Sequence, residues 1–184
     1  MVFPSDPVRR RALITGVRGF TGAYVKDELQ RGGYEVVGTL ARNDIAGANE
    51  HALDITSLDE CRRVIDEVRP THIVHLAAIS FVAHDDALEM YRVNVLGTLN
   101  LLQACSEVGH RPDKILIVSS ANVYGNAAGV VDETTPPAPV NHYAASKLAM
   151  EHLVRPWFDL LPIVMTRPFN YTGRGQSERF LVPK

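Results

Sequence analysis

Leu13-Ile14-Thr15-Gly16-Val17-Arg18-Gly19-Phe20-Thr21-Gly22 carries an apolar strand into three glycines spaced G-x-x-G-x-x-G, and a helical pattern follows from Thr21 to Arg31. The glycines give backbone access: one permits a tight turn, one lets the main chain approach a pyrophosphate, and one lets helix and strand pack closely. The first amides of the new helix then point at the anion, helped by the positive end of the helix dipole. Many glycine-rich loops between strand and helix are only turns, so the rest of the chain has to supply the context.

That context is regular alternation. Arg11 to Thr15 reads as the first strand, Tyr34 to Leu40 as the second and His51 to Asp54 as a short third, with a polar loop from Arg42 to Glu50 between the last two. Ser57 reads as the cap of a helix reaching Val68, with Glu60 placed for a capping box. Thr71 to Leu76 is a compact apolar strand, and a long helix is expected from Asp86 to Val108 with Val93, Leu96, Leu99, Leu101 and Leu102 turned to the core. Lys114 to Ser119, a helix from Asn141 to Trp157, and Leu161 to Thr166 complete the series. Strands that are continuously apolar and alternate with helices call for a doubly wound α/β domain, a parallel sheet covered on both faces. Residues 1–170 are expected to form this dinucleotide-binding Rossmann unit, and 171–184 to begin a substrate lobe whose remainder is missing.

Composition narrows the functional classes. The 184 residues are 46% hydrophobic and 22% charged, enough for one full core. A net charge of −2 gives no electrostatic case for nucleic acid or an anionic membrane surface. Met1 to Pro7 holds no long apolar run, so the expectation is a cytoplasmic protein with no signal peptide. Cys61 and Cys105 lack metal-ligand spacing and read as free buried thiols, and no metal is expected.

Two further segments carry chemistry. Tyr143-Ala144-Ala145-Ser146-Lys147 sets a phenol and an ammonium four residues apart, on one helix face. A cation about 4 Å from the phenol, at an effective dielectric near 20, contributes roughly 4 kcal/mol, enough to bring it toward neutral pH for acid–base work. Val118-Ser119-Ser120-Ala121-Asn122-Val123-Tyr124-Gly125 begins at the carboxyl end of an apolar strand, where ligands bind in such sheets. A hydroxyl there can hold a substrate oxygen that the tyrosine protonates. Taken singly, the first is an ordinary exposed helix pair and the second a strand-end turn; together each supplies what the other lacks.

Thr15 to Gly22, His75-Leu76-Ala77-Ala78, Asn94, Ser119 to Gly125, Tyr143 with Lys147, and Arg167-Pro168-Phe169-Asn170 together resemble the extended short-chain dehydrogenase/reductases, in their nucleotide-sugar branch. The resemblance implies that Tyr143 is the general acid/base, that Lys147 lowers its pKa and holds the nicotinamide ribose, and that Ser120 polarises the reacting oxygen. It implies cofactor contacts at Gly16, Arg18, Gly19, Phe20, Thr21, Gly22, Arg42, Asp54, Ile55, Leu76, Ala77, Ala78, Asn94 and Pro168, besides Tyr143 and Lys147. Ser120, Asn122, Asn170, Arg174 and Lys184 are the expected contacts to the sugar nucleotide. A homodimer through the helices containing Tyr91–Val108 and Tyr143–Trp157 is also implied.

NAD-preferring members place a carboxylate at the end of the second strand; here Leu40 stands there, with Arg42 two residues on and Arg18 in the loop. Guanidinium groups grip a 2′-phosphate, so NADP is expected over NAD. The related 4,6-dehydratases carry an acid just after the serine or threonine; Ala121-Asn122 has none, which disfavours dehydration. Phe169 to Gln176 looks most like the matching loop of GDP-4-keto-6-deoxymannose reductases. The expected function is NADP(H)-dependent reduction of an NDP-4-keto-6-deoxy sugar, with an NDP-sugar epimerase as the alternative and a non-catalytic dinucleotide-binding protein as a second. Because the closing lobe of this family is expected beyond Lys184, the isolated chain should hold cofactor well and sugar nucleotide poorly.

Overall fold

The structure, a computed structural model, describes residues 10–80 and 85–177 of the chain. Six parallel strands form one sheet: β1 (Arg11–Thr15), β2 (Glu35–Leu40), β3 (Glu50–Ala52), β4 (His72–His75), β5 (Lys114–Val118) and β6 (Ile163–Thr166), in the order β3-β2-β1-β4-β5-β6. The chain works outward from β1 to β3, then returns to the other side of β1 and works outward again. The order therefore reverses between β1 and β4, and a crevice opens outside their carboxyl ends. The expected doubly wound sheet is present.

Successive residues of the central strands face opposite layers, as the pleat requires. Leu13, Val37 and Ile73 join a large core with Val64 and Ile65, Leu101 and Leu102, and Met150 and Val154. These come from α2 (Leu58–Val68), α4 (Gly97–Glu107) and α5 (His142–Val154). Ile14, Val36 and Val74 turn to the other face, against Val25 and Leu29 of α1 (Phe20–Arg31). Cys61 and Cys105 are free and buried, their thiols pushed up to about 12, first by burial. No helix among the described residues is long and apolar enough to cross a membrane.

Three local expectations change. The long helix is α3 (Ala87–Tyr91), then a π turn at Arg92–Leu96, then α4. The wider turn inserts a residue into the helical register. It turns Leu96 out to 49% exposure instead of into the core, and brings Asn94, Gly97 and Thr98 inward. Ser57 caps α2 by accepting from the Glu60 amide, but Glu60 does not close a capping box: its carboxylate reaches back to the Asp54 amide at 2.8 Å, while the Ser57 amide bonds the Asp54 carbonyl. The last helix, capped by Asn141, ends at Val154 because Pro156 cannot continue it, and Arg155–Trp157 tightens into a 3₁₀ turn.

The glycine loop has little spare room. A Cβ on Gly22 would lie 2.5 Å from the Val17 carbonyl oxygen and 2.6 Å from that of Gly16. Gly22→Ala is expected to cost about 2–3 kcal/mol in urea unfolding, whereas Gly109→Ala stays within about 0.5 kcal/mol, since a Cβ there meets nothing within 4 Å.

Candidate active site

The crevice at the β1/β4 reversal is a cavity of roughly 1170 Å³, somewhat above the ~300–1,000 Å³ usual for small-molecule sites. Its floor is the glycine loop. Gly16 sits at φ +70° and would carry a Cβ 3.1 Å from the Ala77 backbone, so only glycine lets β1 leave the sheet this close to β4. Gly19 precedes α1 as its cap and supplies no side-chain hydrogen bond, whereas Ser57, Asp86 and Asn141 cap their helices with side chains. The α1 amides thus meet the cavity without a competing side-chain oxygen, which suits an anion.

Of the expected cofactor contacts, Gly16, Gly19, Phe20, Thr21, Gly22, Arg42, Asp54, Ile55, Leu76, Ala77, Ala78, Tyr143, Lys147 and Pro168 line this one cavity. Asp54 also shapes its own turn. Its carboxyl lies below the usual carboxylate range, first because the Thr56 hydroxyl donates to it at 2.6 Å. Arg42 reaches the cavity edge largely exposed and pairs with Glu60 at 3.3 Å.

Two expected contacts lie outside this lining. Arg18 does not line the cavity; its guanidinium is taken by Glu50 at 2.6 Å and the Ile45 carbonyl at 2.8 Å. Asn94 does not line it either, because its buried amide is saturated from behind. It accepts from the Ile79 amide (2.8 Å) and donates to the Ile79 carbonyl and the Ser146 hydroxyl, each at 3.0 Å. Ile79 does line the cavity, so Asn94 positions the wall without touching the ligand space.

Among the expected substrate contacts, Ser120, Asn122 and Asn170 line the cavity. Arg174 does not; its side chain is exposed, and its carbonyl accepts from the Tyr24 hydroxyl at 2.9 Å. Lys184 lies outside the described residues. Phe169, Tyr171 and Gln176, on the loop after β6 that the resemblance singles out but to which it gives no contact, also reach the cavity. Tyr171 packs against Phe20 and its hydroxyl lies 2.6 Å from that of Thr21, which fastens the segment over the start of α1. No periodicity announces such a contact between a loop and a helix end.

Ser120, Tyr143 and Lys147 meet at the β5 side of the same cavity, all buried. Burial pushes the Tyr143 phenol above its ordinary range, and the neighbouring Ser120 hydroxyl pulls it partly back. The direction is the reverse of the expected lowering by Lys147. Burial outweighs any help from the ammonium, which is engaged elsewhere: Lys147 Nζ donates to the Val118 carbonyl at 2.8 Å. Burial brings Lys147 itself down to about 8, opposed by the charge of Glu151.

Behind the cavity runs a buried relay. Thr15 Oγ1 accepts from the Leu76 and Ala77 amides (3.1 and 3.0 Å) and lies 2.7 Å from His75 Nδ1. His75 Nε2 lies 2.9 Å from Thr98 Oγ1, whose hydroxyl donates to the Asn94 carbonyl at 2.8 Å. Thr15, with two amides on its oxygen, gives its proton to Nδ1, and Thr98 has its proton engaged, so the imidazole is neutral with hydrogen on Nε2. Burial, then the charge of Lys147, pushes His75 down to about 3.

Compared with known proteins, a family model described as "NAD dependent epimerase/dehydratase family" matches residues 12–184. GDP-6-deoxy-D-talose 4-dehydrogenase of Aggregatibacter actinomycetemcomitans is 35% identical over 178 residues, covering 95% of this chain and 57% of the relative. A solved structure from Burkholderia cenocepacia J2315 superposes with TM-score 0.88 at 46% identity, over 95% of this chain and 58% of that one. RMD from Pseudomonas aeruginosa, complexed with NADPH, superposes with TM-score 0.77 at 32% identity, over 93% and 57%. The chain therefore spans little more than half the length of these relatives.

Between pH 7 and pH 5 the unfolded chain takes up a proton at His75, ordinarily near 6.5, that the folded chain refuses until about 3. Stability is accordingly expected to fall with pH by roughly 2 kcal/mol across that window. Urea unfolding at both pH values checks this, with His75→Gln expected to lose that dependence.

Proposed function

Because this chain belongs to the NAD dependent epimerase/dehydratase family, we propose that it forms the cofactor half of an NADP(H)-dependent reductase of an NDP-4-keto-6-deoxy sugar, GDP-linked. Relatives of this chain are named as nucleotide-sugar dehydrogenases, reductases, dehydratases and epimerases, and solved neighbours hold NADPH or NAD. One observation carries the finer reading: Ser120, Tyr143 and Lys147 open onto the same cavity as the glycine loop. A dinucleotide with its pyrophosphate at α1 would present its far end to them.

The residues fit that group. Gly16 and Gly22 let the loop close against Ala77 and against its own carbonyls where a Cβ would collide, so the backbone lines the cavity, and α1 offers amides without a side-chain cap. When bound, NADPH supplies a hydride. Tyr143 supplies the matching proton to the ketone oxygen, and its raised pKa keeps the phenol protonated at neutral pH, as a donor requires. Ser120 steadies that oxygen, and Lys147, with its value near 8, is charged at neutral pH to hold ribose hydroxyls. Leu40 and Arg42 at the end of β2 favour a 2′-phosphate over free ribose hydroxyls, and the Pseudomonas neighbour was solved with NADPH. Arg18, held by Glu50, contributes little to this preference. The GDP linkage is suggested by the name of the talose relative. Pairing with a second copy through the helices containing Tyr91–Val108 and Tyr143–Trp157 is part of this proposal, and Leu96, 49% exposed on the first of them, is open to such a contact.

Epimerisation is the second reading, favoured by the family's description. Consumption of NADPH with a GDP-4-keto-6-deoxy sugar means reductase; isomerisation without net consumption means epimerase. Tyr143→Phe is expected to cut turnover ~10²–10⁴-fold while leaving NADPH affinity nearly unchanged, and undiminished turnover would remove Tyr143 from the chemistry. In calorimetry NADPH should bind at least about tenfold more tightly than NADH, a difference of ~1.4 kcal/mol, and Arg42→Ala should erase the gap. Equal or tighter NADH binding contradicts the cofactor assignment.

A further inference from the structure

Glu151 has no part in the chemistry above, yet it is among the most deeply buried charged groups described, at 3% exposure. It stands one helical turn beyond Lys147 on α5, the spacing at which side chains of a helix meet. Three donors converge on its carboxylate. Ser119 Oγ donates to Oε1 at 2.5 Å, Arg167 Nε to Oε1 at 2.8 Å, and Arg167 Nη2 to Oε2 at 2.6 Å. The remaining arm of the guanidinium reaches the Tyr124 hydroxyl at 2.9 Å. Ser119 adjoins Ser120, and its amide bonds the Thr166 carbonyl at 2.8 Å. One carboxylate thus ties α5 to the ends of β5 and β6, the elements that present Tyr143, Lys147 and Ser120.

A buried carboxylate with both oxygens bonded is expensive to desolvate, and an apolar contact would hold these elements at less cost. Its charge is what an apolar contact could not supply. Tyr143 and Glu151 stand one helical turn either side of Lys147 on α5, neutral His75 at the end of β4 lies within reach of its charge, and Arg167 just beyond β6 engages Glu151. Glu151 is the anion among them, and it also answers Arg167.

We propose that Glu151 is a positioning residue for the site: clamped by Arg167 and Ser119, its carboxylate holds Lys147 in the ammonium form and seats the Tyr143–Lys147 face of α5 against the strand end bearing Ser120. This rests on the reading that Lys147 serves the reaction. Glu151→Gln keeps the shape but removes the anion that acts on the ammonium and leaves the Arg167 charge uncompensated, so Lys147 releases its proton at lower pH. Arg167→Gln has the opposite sign, because Glu151 then acts on Lys147 alone.

The test is the Lys147 side-chain titration, followed by NMR on lysine-labelled protein. Glu151→Gln is expected to move its midpoint down by about one pH unit or more, the scale set by a nearby opposite charge. Glu151→Asp should leave it near the native value, and Arg167→Gln should move it up. The Arg167 variant still decides the matter if Glu151→Gln fails to fold. A Lys147 midpoint that ignores both substitutions overturns the inference whatever the activity. A midpoint that moves as stated, together with a turnover–pH profile that moves with it, supports the positioning role. If the midpoint moves while turnover ignores it, the catalytic reading of Lys147 falls instead.

Discussion

The approach of the Gly16 backbone to that of Ala77 is the constraint on which the rest of this molecule depends. A side chain at Gly16 would press on the Ala77 main chain at 3.1 Å, so β1 and β4 can part at the carboxyl edge only if the turn is glycine. That parting follows from topology. β1 lies between β2 and β4, its two successor crossovers run in opposite directions, and the crevice left between them becomes the ligand site. Much of the cavity lining is hung from this edge: α1 from the loop after β1, Ala77 and Ala78 from β4, Ser120 from β5 and Pro168 from β6.

Two buried polar networks brace the edge from opposite sides. Thr15, His75 and Thr98 bind the ends of β1 and β4 to the helix that follows, and Asn94 passes the constraint on to Ile79 and Ser146. Ser119, Glu151 and Arg167 bind the ends of β5 and β6 to α5. Apolar packing alone would allow these strand ends to slide, because dispersion has no direction. Hydrogen bonds in a low-dielectric interior have direction and are costly to break singly. The site residues are thus held at positions that the hydrophobic core does not specify.

The sheet was legible because its signals are local: continuous apolar strands, glycine turns and proline stops each announce themselves within a few residues. Most cavity-lining positions were legible for a related reason, since the fold places strand ends and the residues just beyond them at the site. What escaped depends on contacts distant in the chain. Arg18 reads as a free cation until Glu50, 32 residues on, is seen to hold it. Asn94 reads as a ligand contact until the π turn buries it, and the same turn sends Leu96 outward. Tyr143 and Lys147 share a helix face as their spacing requires, but spacing did not show that Lys147 would spend a hydrogen bond on Val118. Glu151, four residues past Lys147, carries no signal in the sequence for the role that Arg167 and Ser119 give it.

The central claim is that one dinucleotide spans the cavity, pyrophosphate on the α1 amides and nicotinamide beside Tyr143 and Lys147. The most direct measurement is a titration of isotope-labelled protein with NADPH, read at the backbone amides. Saturable shifts are expected together at Gly16, Gly19 to Gly22, Ala77, Ala78, Tyr143 and Lys147, with little change on the outer face of α2. Shifts confined to one end of that set, or none at millimolar NADPH, would contradict the account.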